Sequence, residues 1–316
     1  MAKQSFLEAT KKQVLLFDGA MGTEIQRLNP KPEDFPEGKD GFNDGLNLSR
    51  PDWIKQIHRS YLKAGADCIE TNTFGSNKFK LAEYGYGEKT VEFNKSAVIL
   101  AREVCNEFKD KPRYIIGSMG PTGYLPSSND PDLGQKPIDE IRDAFAVQAE
   151  GLILGGVDAL LIETSQDILE VKLAIEGCHN AMEKIGGKNV PIIANVTLDQ
   201  YGKMLLGTSI QSAFTTVSGM KIDAFGLNCS TGPREMASSV RWLGEQDDDL
   251  PLLVMPNAGM PINEGGRAVY KMKPDEMAEA LADFIDRYKN IRMIGGCCGT
   301  NPQHIAELSR ALDLRR

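Results

Sequence analysis

Residues 294–300 read "IGGCCGT", with two adjacent cysteines at the end of an apolar run. A disulfide between Cys297 and Cys298 is strained, and a redox pair is expected as C-x-x-C, a pattern this chain lacks. A third cysteine, Cys229, ends another apolar run, "DAFGLNCS" (223–230). Three thiolates meeting at one point make a metal site, and Zn²⁺ is the ion that best suits them. Structural zinc takes four protein ligands, so three with no evident fourth point to a catalytic zinc with one position open to substrate. Gly295, Gly296 and Gly299 give the backbone freedom to turn both sulfurs toward one ion. The remaining cysteines, Cys68, Cys105 and Cys178, fall inside a strand or in helices, where a free thiol acts as a small hydrophobe.

Three thiolates leave a zinc centre with net negative charge, which makes it a poor activator of water. Such a centre suits a fourth thiol bound as thiolate, with its pKa lowered and its sulfur still nucleophilic. The reaction class is alkyl transfer to a thiol. Asp18 and Glu163 also end apolar runs and could hold an ammonium by charge-assisted hydrogen bonds. The turn Gly19–Ala20–Met21–Gly22 offers backbone N–H groups for a carboxylate. A thiol with an amine and a carboxylate is an amino acid such as homocysteine. A zinc hydrolase is expected to carry histidine at these positions, and none does.

These residues need elements that bring them together. Eight short apolar runs recur: 14–20, 67–73, 113–121, 158–165, 191–199, 223–230, 251–259 and 291–299. Continuous apolar runs suit strands buried on both faces of a parallel sheet. Amphipathic helical patterns separate them, one of them starting near a Ser49 cap with Pro51 in its first turn. The joints "AGADCIETN", "GGVDALLIET" and "MKIDAFGLN" resemble each other and read as a weak repeat. Eight β-then-α units predict a single-domain (β/α)₈ TIM barrel, whose active site lies at the C-terminal strand ends. A doubly wound sheet would show G-x-G-x-x-G after the first strand, and that fingerprint is absent. Segments 29–48 and 120–137, rich in Pro, Gly and Asp, read as long loops over the catalytic face.

The 316 residues, 41% hydrophobic and 25% charged, can bury one large core. The net charge of −8 argues against a nucleic-acid surface. No apolar stretch is long enough for a membrane span and the N-terminus lacks a signal-peptide pattern, so a cytoplasmic protein is expected.

The motifs "FDGAMGTEI", "ADCIETNTFGSN", "GPTG", "LLIETSQD", "GLNCSTGP", "PNAGMP" and "GGCCGTNPQHI" together resemble the homocysteine S-methyltransferase family. The resemblance runs over about residues 12–312 and is strongest to the homocysteine-binding module of cobalamin-dependent methionine synthases. It implies one homocysteine-binding zinc barrel domain over residues 1–316, with zinc on Cys229, Cys297 and Cys298. It further implies homocysteine bound through Asp18, the Gly19–Ala20 backbone and Glu163. Asn257 matches a residue able to take the open zinc position when substrate is absent; Thr23, Asn72 and Asn228 carry over as pocket lining. For the methyl donor, the resemblance implies a methylated corrinoid, methylcobalamin, on another module or protein. His58, His179 and His304 do not sit in the D-x-H-x-x-G pattern that ligates a corrinoid. The second donor class is a free onium compound, S-methylmethionine or glycine betaine. It needs a cage for a cationic methyl group, for which Trp53, Phe74, Tyr84 and Tyr124 are the candidates.

Overall fold

A computed structural model describes residues 4–246 and 250–315. All eight apolar runs form strands of one parallel sheet. They are β1 (Leu15–Leu16), β2 (Cys68–Glu70), β3 (Tyr114–Met119), β4 (Ala159–Ser165), β5 (Ile192–Val196), β6 (Ala224–Asn228), β7 (Leu252–Met255) and β10 (Ile291–Ile294). Their order, β1-β10-β7-β6-β5-β4-β3-β2, brings the first two strands to the two edges. A short antiparallel hairpin, β8 (Ile262–Glu264) with β9 (Arg267–Val269), stands outside the barrel and was not expected from the sequence.

Hydrogen bonds of Asp67 close the seam between β1 and β2. Its backbone N–H donates to Leu16 O (2.7 Å) and its Oδ2 accepts the Leu16 N–H (2.9 Å). Asp158 does the same to Ile115 and Asp223 to Ile192. The weak repeat seen in the sequence is therefore one device used three times. An aspartate just before a strand ties that strand to its neighbour through both backbone and side chain. Higher on the seam, the Glu70 N–H donates to Asp18 Oδ2 at 3.1 Å. The architecture is a single-domain (β/α)₈ barrel with twelve α-helices among the described residues.

Strand side chains alternate between two buried environments. Leu15, Cys68, Ile116, Leu161, Ile193 and Met293 pack together inside the barrel. Leu16, Ile69, Ile115, Leu160, Ile192 and Ile294 pack outward under the helices. The same period of two carries Glu70, Ser118 and Glu163 to the inner side one layer further up. The helix Phe6–Lys12 closes the opposite end, with Phe6 edge-on to Phe17 (6.4 Å) and Tyr114 (5.7 Å).

Two expectations change. Residues 29–48 are not an irregular loop. They form short 3₁₀ turns and a helix, Leu46–Ser49, because Phe35 and Phe42 are buried. Phe42 stacks on Tyr84 with ring centroids 4.2 Å apart. Ser49 ends that short helix rather than capping the next, Pro51–Lys63, which has no side-chain cap. Segment 120–137 does lack regular structure, and the helix Ile168–Lys184 anchors it. Thr122 N–H and Oγ1 donate to Glu170 Oε1, and Ser127 N–H and Oγ donate to the Asp167 carboxylate. No helix among the described residues is long and apolar enough to cross a membrane.

Candidate metal centre and amino-acid pocket

The ends of β6 and β10 bring the three cysteines together. Cys229 and Ser230 both adopt left-handed backbone conformation, φ 62° and 64°, which swings the chain sharply as it leaves β6. Such conformations are uncommon for residues other than glycine and collect at functional sites. The Cys297–Cys298 turn is held on several sides. Cys297 N–H donates to Pro256 O (2.8 Å) and Cys298 O accepts from Ala258 N–H (3.0 Å). Thr300 Oγ1 donates to Cys297 O at 2.7 Å, and the Gly299 N–H donates to Thr23 Oγ1 at 3.1 Å. Gly299 has φ 79°, and a Cβ there would lie 2.3 Å from the Tyr270 ring, so only glycine fits.

The three Sγ atoms lie within 4.8 Å of one another, and Cys229 Sγ stands 3.7 Å from Cys298 Sγ. Sulfurs about 2.3 Å from a tetrahedral zinc stand about 3.8 Å apart, so the donor set fits that ion. Hydrogen bonds from Cys229 and then Cys297, with help from Tyr270, pull the Cys298 thiol down to about 3. Cys297 is pushed well up by Cys229, then by Cys298 and burial. Cys229 accepts from Cys297, but its bond to Cys298 and its burial outweigh that and push it up to about 12. The three thiols are thus coupled to one another, and a divalent cation bound among them would favour their thiolate forms.

Beside the thiols lies a cavity of ≈ 250 Å³. Gly19, Ala20, Thr23, Asn72, Glu163 and the three cysteines line it. Glu163 is 5% exposed; its Oε1 accepts from the Ser118 hydroxyl and its Oε2 from Asn228 Nδ2. Burial pushes its carboxyl up to about 7. Asp18 does not line the cavity. It is buried in the seam behind it, with Oδ2 bonded to the Glu70 N–H and Oδ1 unpartnered by protein. Burial raises it well above the usual carboxylate range, and Glu163 adds to the rise.

Four other assignments become more specific. The Ala20 N–H is already spent on Thr300 Oγ1 at 3.1 Å, so the turn's free donors lie to either side of it. Asn72 reaches the cavity, but its Nδ2 donates to Asn43 O at 2.9 Å and so pins the 29–48 segment to the rim. Asn228 is fully buried and does not line the cavity. It joins Glu163, Thr164 and Cys297: Nδ2 donates to Thr164 Oγ1 (2.8 Å), and Oδ1 accepts the Thr164 N–H (2.8 Å) at a residue with φ 57°. Asn257 is buried in the β7 turn that supports both cysteine segments, and its Oδ1 has no protein partner.

Of the four aromatic candidates only Phe74 lines the cavity. Trp53 stacks on Arg50 (3.7 Å), Tyr84 on Phe42, and Tyr124 packs edge-on to Phe79 (5.1 Å). From the sequence Glu70 is only a residue at the end of the second strand with no role, and Ser118, Tyr270 and Thr300 are not singled out. Glu70 had a signal: "IET" occurs at 69–71 and again at 162–164, placing it where Glu163 stands in its own strand. Tyr270 had none, because it follows the unforeseen hairpin.

The sequence model for "Homocysteine S-methyltransferase" matches residues 15–312. The chain is 42% identical over 308 residues to a methionine synthase of Mycobacterium tuberculosis and, equally, to one of Mycobacterium leprae. The match covers 97% of this chain but only 25% of those proteins, so the chain spans about a quarter of their length. Its fold is similar to the homocysteine methyltransferase MmuM of Escherichia coli in metallated form, with TM-score 0.72 and 22% identity over 95% of this chain and 96% of that one. The oxidised form of that protein gives TM-score 0.73. The family match begins at the first barrel strand, ends in the last helix and contains all three clustered thiols, so the chain belongs to the homocysteine S-methyltransferase family.

Proposed function

We propose that this chain is a homocysteine-binding zinc barrel, core about 12–312, that methylates the thiol of homocysteine to give methionine. The observation that carries the reading is the meeting of three cysteine thiols with buried carboxylates in one cavity. A Zn²⁺ held by Cys229, Cys297 and Cys298 would supply thiolate formation on the incoming thiol at neutral pH. In this reading Glu163 accepts from the amino group and the N–H groups of the Gly19–Gly22 turn hold the carboxylate, while Asp18, expected as a second acceptor, lies behind the cavity wall. Asn228 keeps the Glu163 carboxylate oriented beside the thiols. Asn257, with its unpartnered Oδ1, is suited to the open metal position in the absence of substrate.

The donor in this reading is a methylated corrinoid carried by another module or protein. The motif resemblance supports it, as does the chain's quarter-length match to methionine synthases. So do exposed apolar side chains at this end of the barrel. Leu48, Phe74, Leu133, Leu205 and Met260 are exposed, and all lie on segments that follow strands at the cavity end. Exposed apolar surface of this kind suits a macromolecular partner. A free onium donor is less well served, because three of the four cage candidates are committed to packing. A methyl-transfer assay on zinc-loaded protein, with methylcobalamin, S-methylmethionine and glycine betaine in parallel, tests the choice. Turnover with methylcobalamin alone is expected; turnover with an onium donor would reverse the assignment.

A further inference from the structure

Glu70 is a carboxylate of the cavity wall that the reading above leaves without a task. The β2 alternation carries it inward above Cys68, and it lines the cavity. Its Oε1 is buried and has no protein partner, and the same holds for Asp18 Oδ1. Glu163, by contrast, has both oxygens engaged. No lysine or arginine among the described residues lines the cavity. Buried carboxylate oxygens without donors are costly, so a cationic guest has much to gain here. A primary ammonium brings three N–H donors, enough to engage both Glu70 and Glu163.

We propose that Glu70 determines specificity in this pocket: it takes one N–H of the ligand's ammonium beside Glu163, and so restricts the site to thiols carrying a primary amine. The inference rests on the homocysteine reading and adds the amine class to it. It also explains a cost the fold bears. Burial, then the charges of Glu163 and Asp18, hold Glu70 well above the usual carboxylate range. These acids are crowded at one point because the partner of Glu70 and Glu163 arrives with the substrate.

The test is a binding cycle by calorimetry on zinc-loaded protein. Wild type and Glu70→Gln are each titrated with homocysteine, with its N,N-dimethyl derivative and with 4-mercaptobutanoate, which lacks the amine. Glu70→Gln is expected to weaken homocysteine by about tenfold to a hundredfold while 4-mercaptobutanoate stays within about twofold and zinc content is unchanged. Equal weakening of both ligands, or no loss with homocysteine, overturns the proposal. If the variant does not fold, wild type decides: N,N-dimethylhomocysteine must bind at least about tenfold more weakly than homocysteine, and equal affinity overturns the proposal. Wild type that binds no thiol removes the homocysteine reading and this inference with it; wild type that binds homocysteine with no Glu70 effect removes only the inference.

Discussion

Single residues set the chemistry, and their burial explains why few of them suffice. Glu163 is held by Ser118 and Asn228 at 5% exposure, so its carboxylate points one way and meets little water. Glu163→Ala is expected to retain the metal, because the three thiols do not depend on it, and to lose homocysteine affinity by about a hundredfold. Metal analysis and calorimetry on the same sample check this. The cysteines were legible in the sequence because adjacent thiols have few other uses. The tasks of Asn228 and Asn72 were not, because a buried amide's partners are fixed by folding. Asn228 reads as lining by motif and proves to be the bracket between Glu163, Thr164 and Cys297.

Elements position those residues, and the barrel was legible because its strands are buried on both faces and punctuated by regular joints. Each Asp67, Asp158 and Asp223 joint couples one strand to the next, so removing a side chain there should loosen the sheet locally. Asp223→Ala leaves the Ile192 N–H without its acceptor and is expected to cost about 1–3 kcal/mol in urea unfolding. The loop after β3 offers a pH test. Burial pushes Glu170 up to about 7, even as it accepts from Thr122. A carboxyl raised on folding binds its proton more tightly in the native state. Its contribution is therefore favourable at low pH and is lost as pH rises from about 4.5 to about 7. Glu170→Gln should remove on the order of 3 kcal/mol of that decline, measured by denaturant unfolding at pH 5 and pH 8; an unchanged pH slope would reject the assignment. The hairpin Ile262–Val269 escaped the sequence reading because it is short and exposed, with no core face to impose a pattern.

For the molecule taken whole, the proposed reading gives the chain one side of a methyl transfer. The chain brings thiols, acids and a cavity to one end of the barrel, and segments that follow the strands at that end carry exposed apolar side chains. Leu205 is 61% exposed on the segment after β5, so Leu205→Asp should change stability by no more than about 0.5 kcal/mol. Methyl transfer from a corrinoid-carrying protein should fall about tenfold, whereas transfer from free methylcobalamin should not change. Equal effects on both donors would remove these side chains from the account. The division of labour was only partly visible in the sequence. The three-thiol site could be read from motifs, but the exposed apolar residues lie on five segments far apart in sequence and share one end of the molecule only once the barrel closes.

In the proposed reading, three thiols of this chain hold a zinc whose fourth position receives the substrate sulfur. Zinc-edge X-ray absorption of the loaded protein, before and after homocysteine, tests it most directly. The account predicts three sulfur neighbours and one oxygen or nitrogen neighbour in the free protein, becoming four sulfurs with homocysteine bound. A coordination shell unchanged by homocysteine would contradict it.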